Sequence, residues 1–81
     1  FRRVLFRSMK NYDHEYKKIG LNIKKYRLQA NLTQEELCEK VGISISYLSK
    51  IEAPNCNKSF SLDLLYRICD VLTIDIKKLF E

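Results

Sequence analysis

Two helix starts and one helix stop crowd into the stretch from Thr33 to Ile51. Thr33-Gln34-Glu35-Glu36 has the form of a capping box, in which the hydroxyl accepts an orphan backbone N–H and the carboxylate reaches back to the threonine N–H. The helix it opens carries Leu37, Cys38 and Val41 toward a core. Gly42 ends that helix and turns the chain. Ser44 then caps a second short helix, with Leu48 and Ile51 inward and Ile45, Ser46, Tyr47, Ser49 and Lys50 outward. Helices this short cannot bury enough surface alone. They need flanking helices as a platform.

The flanks supply them. Residues 12–30 are predicted helical: Tyr16, Ile19, Ile23 and Tyr26 recur on one stripe, while Lys17, Lys18, Lys24 and Lys25 lie mostly off it. Asp13 or Asn11 suits its start, and Asn31 suits a left-handed close. Ala53 to Ser59 is a loop, because Pro54 blocks helix continuation and Asn55 and Asn57 favour turns. Ser61 caps the next helix, whose stripe is Leu62, Leu65, Ile68, Cys69 and Leu72. Asp75 opens a last short helix ending in Leu79 and Phe80. No segment alternates as a strand does, and Gly 2 and Pro 1 speak against a turn-rich β fold. With 81 residues there is room for one domain. The expectation is an all-α, compact five-helix domain.

The formal net charge is +5, but Arg2, Arg3 and Arg7 precede the only methionine, Met9, and without them the excess is +2. Residues 1–8 are expected to be a non-native or disordered leader, and residues 9–81 the domain; a basic arm touching phosphate is the rival reading of the leader. Charge alone therefore does not establish nucleic-acid binding. The longest uncharged run, Val41 to Ser49, is far too short to span a membrane. Cys38, Cys56 and Cys69 are an odd, widely spaced set, which fits a reducing cytoplasm. With His14 they form no metal-ligand spacing, so no metal is expected. No nucleophile, metal partner or phosphate-cradling glycine loop accompanies the single histidine, so neither an enzyme nor a cofactor is expected.

Residues 19–52, IGLNIKKYRLQANLTQEELCEKVGISISYLSKIE, resemble the Cro/C1-type (XRE) helix-turn-helix regulators. The likeness continues through residues 61–80, SLDLLYRICDVLTIDIKKLF, and covers roughly residues 15–81. Its specificity lies in the order and spacing of LTQEEL, VGIS, YLSKIE and SLDLLYRICDVL. The resemblance implies a lambda-repressor-like fold that binds double-stranded DNA. It assigns Gln34 to the DNA backbone, and Ser44, Ile45, Ser46, Tyr47 and Lys50 to base edges and flanking phosphates. Asn57 and Lys58 match a phosphate-gripping region, and Arg27 and Glu52 match an ion pair tying the first helix to the end of the third.

Some positions depart from the family. Ala53-Pro54 replaces a common basic residue and glycine, and the loop that follows is longer. Thr73 replaces a common glycine, so the exit of that helix is expected to differ. Cys38 and Cys69 stand where alanine is usual, which favours buried, inert thiols. Along the recognition helix, Ser46 specifies weakly, Ile45 can pack on a thymine methyl, and Lys50 can reach guanine or a phosphate. Tyr47 can hydrogen-bond a phosphate or pack over a neighbouring helix. The implied function is a cytoplasmic, sequence-specific transcriptional regulator, a repressor or autoregulator, binding a pseudo-palindromic operator as a homodimer. No small-molecule ligand is evident. The alternative is a protein-interaction module, such as an antitoxin or anti-repressor, on the same fold.

Overall fold

The computed structural model describes residues 12–53 and 60–81. Its described elements are α1 (Tyr12–Gln29), α2 (Gln34–Val41), α3 (Ile45–Glu52), α4 (Leu62–Leu72) and a terminal 3-10 helix (Ile76–Phe80). The all-α, five-helix expectation holds, with the last member wound more tightly than an α-helix.

The local signals act where the sequence puts them. Thr33 Oγ1 accepts from the Glu36 N–H at 3.1 Å, and the Glu36 carboxylate accepts from the Thr33 N–H at 2.8 Å. Gly42 takes φ +87° and donates its N–H to the Cys38 carbonyl. Ser44, Ser61 and Asp75 accept from the N–H groups of Tyr47, Leu64 and Lys77. Asn31 closes α1 at φ +59°. The start of α1 needs correction: Asp13 lies inside its first turn, not at a cap, and Asn11 lies outside the described residues.

α1 packs against α3, α4 and the terminal 3-10 helix, while α2 packs against α3 and α4. Between them lie Ile19, Ile23, Leu37, Leu48, Ile51, Ile68 and Leu79, all buried. Gly20 makes the α1–α3 approach possible, since a Cβ there would overlap the Ile51 carbonyl oxygen. Tyr16 meets Phe60 edge-on, with ring centroids 5.2 Å apart. The Asn22 side-chain amide donates to the Leu79 carbonyl at 2.8 Å and ties the terminal helix to α1.

The α4 stripe also needs correction. Leu62 is 56% exposed, and Leu64 takes its place beside Leu65, Ile68, Cys69 and Leu72. Leu62 sits in the first turn, about a quarter-turn from the centre of the buried stripe. The exit of α4 does not differ in kind from a glycine stop: Thr73 itself adopts the left-handed backbone, φ 53° and ψ 46°. Cys38 and Cys69 are buried free thiols, and burial pushes both up from the ordinary thiol range.

Candidate nucleic-acid interface

α3 is amphipathic over its whole length. Leu48 and Ile51 are fully buried behind it. Ile45, Ser46, Ser49 and Lys50 are exposed. These fall at i, i+1, i+4 and i+5, so they form one continuous strip along the helix. Ile45 is 46% exposed, a large apolar side chain left in water on the outward face. Lys50 is the only charge on that strip. Ser44 stands at its head, exposed, with its hydroxyl oxygen engaged as the cap.

Tyr47 departs from the outward set. It is half-buried, packed against the core between the strip and α3's buried face. Its position i+2 from Ile45 rotates it off the outward face. Asn57 and Lys58 lie outside the described residues.

Behind the strip is a polar cluster that joins three helices. Arg27 and Glu52 are 6% and 3% exposed. The guanidinium meets the carboxylate through two parallel contacts, Nε to Oε2 at 2.9 Å and Nη2 to Oε1 at 3.0 Å. Nη1 donates to the Leu32 carbonyl at 2.7 Å, just before α2. Two charges in a core are tolerable only when their hydrogen bonds are satisfied. Here no buried side-chain nitrogen or oxygen among the described residues lacks a partner.

Gln34, the first residue of α2, extends this cluster to the surface. Its Nε2 donates to Glu52 Oε1 at 3.0 Å, and its Oε1 accepts from Ser49 Oγ at 3.0 Å. The residue assigned by resemblance to the DNA backbone is therefore half-buried and held at both ends of its amide. From the sequence, Ser49 is only an outward position; its place beside Gln34 at the start of α2 is a tertiary fact with no local signal.

The surrounding charges are mixed. Lys18, Lys24 and Lys25 are exposed on α1, and Glu35 and Glu39 on α2. The Glu36 carboxyl is held below its ordinary range by the Thr33 N–H and then by the Thr33 hydroxyl. Among the described residues, no three His, Cys, Asp or Glu side chains converge as a metal site. No described helix is long and apolar enough to cross a membrane.

A helix-turn-helix family model matches residues 23–79. The chain is 36% identical over 63 residues to the HTH-type transcriptional regulator SinR of Bacillus subtilis (strain 168), covering 78% of this chain and 56% of that protein. It is 38% identical, again over 63 residues, to the HTH-type transcriptional regulator SinR of Bacillus licheniformis, with the same coverage. The chain thus spans just over half the length of these curated relatives.

Proposed function

From the premise that this chain belongs to the Cro/C1-type (XRE) helix-turn-helix family, we propose that it is the DNA-reading unit of a transcriptional regulator. The observation that supports this best is the α3 strip of Ile45, Ser46, Ser49 and Lys50. It is exposed along one face while the opposite face anchors the core. A helix presented this way fits the major groove, where donor, acceptor and methyl patterns distinguish base pairs. Ile45 supplies an apolar contact suited to a thymine methyl, Ser46 a permissive hydrogen-bonding group, and Lys50 a cation. Ser44, Gln34 and the tyrosine hydroxyl of Tyr47 serve the flanking backbone; by the family resemblance Asn57 and Lys58, outside the described residues, serve it too.

One α3 reads only a few base pairs. We infer that the unit acts as a symmetric pair on a pseudo-palindrome, with half-sites about 34 Å, or ~10 bp, apart. Ile76 and Phe80, near the C-terminal end, are the candidate contacts between the two copies, and Phe80, 47% exposed at the end of the terminal helix, is the stronger. Ile76 is half-buried against the protein's own core. A cytoplasmic regulator that represses or autoregulates by occupying an operator, without catalysis, fits this arrangement.

Selection of bound sites from random duplex DNA tests the reading. The expected result is enrichment of a two-fold symmetric site, whose affinity falls steeply as salt rises. Lys50→Ala should then cost about 1–3 kcal/mol and relax one base position if Lys50 reads a base. If it meets phosphate, binding should weaken evenly and the salt slope should drop by about one. Recovery of no duplex at all would favour the protein-interaction alternative.

A further inference from the structure

We propose that Ser49 is a positioning residue for DNA binding, acting through Gln34. The inference rests on the DNA-binding reading above and adds a role to an outward serine that this reading leaves as a mere surface position.

The argument begins with what each group can do. Both Glu52 carboxylate oxygens face the Arg27 guanidinium and act there as hydrogen-bond acceptors. The end of the Gln34 amide that faces Glu52 must therefore be the NH2 group. That choice places Oε1 at the other end, where it can only accept, and Ser49 is the donor within reach at 3.0 Å. The direction of the Ser49–Gln34 hydrogen bond is thus set by chemistry.

The two contacts have different effects. Donation to Glu52 sets which end of the amide points inward, but a single hydrogen bond leaves the plane free to swing about it. The second contact, from Ser49, fixes the plane. An amide carries two N–H donors. One is used on Glu52, so one remains on a side chain that is half-exposed at the first turn of α2. Held in place before DNA arrives, that donor meets a phosphate oxygen without first losing rotamer freedom. The Ser49 hydroxyl sits on the α3 strip itself, so Gln34 is aligned with the same helix that enters the groove.

This makes a distinctive demand on mutants. Ser49→Ala should weaken operator binding about three- to tenfold, the range expected when one flexible side chain has to be immobilised on binding. The thermal midpoint should stay nearly unchanged, since Ser49 is exposed. Ser49→Thr keeps the hydroxyl and should restore most of the affinity. In a Gln34→Ala background, Ser49→Ala should have little further effect, because the group it positions is gone.

The experiment is a four-way binding cycle with the whole chain on its selected operator, with melting curves for every variant. Losses that simply add would show that Ser49 contacts DNA on its own account, and would overturn the positioning role while leaving the DNA-binding reading intact. Unchanged affinity of Ser49→Ala would overturn it as well. If the unmutated chain retains no duplex, the DNA-binding reading fails first and this role falls with it.

Discussion

Arg27 and Glu52 show how much one pair of residues can carry in a domain of this size. Both charges are almost fully enclosed, and they join α1, the approach to α2 and the end of α3. Removing one strands the other in the core, at a cost of about 3–5 kcal/mol. Arg27→Met and Glu52→Leu together should cost much less than the sum of the singles in a urea-unfolding cycle, and additive losses would sink the pairing. Thr73 is a smaller, opposite case. A β-branched residue in the left-handed region is strained by roughly 1–2 kcal/mol. Thr73→Gly should raise stability by about 0.5–1 kcal/mol, after glycine's freedom in the unfolded chain is discounted; a lower unfolding midpoint would show that the threonine is held there by more than backbone geometry. Glu36 carries a pH signature. Its carboxyl is held low by the Thr33 N–H, so its stabilisation is present above the ordinary glutamate range and is lost as pH falls through the lowered value. Glu36→Gln should therefore lose its disadvantage against the parent chain in acid, as read from unfolding midpoints across pH. The buried thiols run the other way. Their raised values mean stability that is present below the ordinary thiol range and lost as pH climbs through it.

At the scale of elements, one phrase occurs four times: an apolar residue, a cap, three residues, then leucine. It reads Leu32-Thr33 to Leu37, Ile43-Ser44 to Leu48, Phe60-Ser61 to Leu65, and Ile74-Asp75 to Leu79. All four leucines are buried, and each preceding apolar residue is buried or packed against the core. These are the positions of a hydrophobic staple, which sets the angle at which the chain enters a helix. The pattern explains why Phe60 belongs to the core although it lies outside any helix. Leu37→Ala, with no void filled, should cost about 2–5 kcal/mol. The α1–α3 approach is sensitive in the other direction. Gly20→Ala gains up to ~1 kcal/mol of helix propensity, but the new methyl overlaps the Ile51 carbonyl. Backbone cannot yield as a flexible side chain does, so overpacking of about 1–3 kcal/mol or more should win. A Gly20→Ala chain that melts higher than its parent would mean that α1 and α3 lie farther apart.

At the scale of the molecule, the buried core of the described residues draws on every helix from α1 to the terminal 3-10 helix, and Asn22 ties that last helix to α1. We propose that residues 1–8 are dispensable, so that deleting them should leave the unfolding midpoint and operator specificity in place. Non-specific affinity should fall, because three arginines leave with the segment. A large drop in midpoint would show instead that Val4, Leu5 or Phe6 belongs to the domain. Dimerisation on DNA is testable at the same scale by footprinting over a concentration series. Protection of two half-sites is expected, and Phe80→Ser should raise the concentration needed to fill the pair while sparing the fold. Saturation at one protein per duplex, protecting a single half-site, would leave the monomer as the binding unit.

Apart from the start of α1, the sequence by itself determined where the described helices start, and it marked the ends of α1 and α2. Thr33, Ser44, Ser61 and Asp75 act on N–H groups two or three residues away, and Gly42 and Asn31 act through their own backbone, so these effects are complete within one turn. The stripes of α1, α2 and α3 were legible for the same reason, because a 3.6-residue period is local. The α4 stripe was legible only in part: periodicity alone admitted Leu62, and the packing of neighbouring helices chose Leu64. Gly20, Asn22 and Ser49 were not legible in their roles. Each depends on which residue of a distant segment stands opposite, and that is decided when the helices pack. The resemblance to a family supplied Arg27 with Glu52 as a pair, but only the packed structure brought Gln34 and Ser49 into the same cluster. Separations of 25 residues for the ion pair and 15 for the Ser49–Gln34 contact lie beyond any local rule.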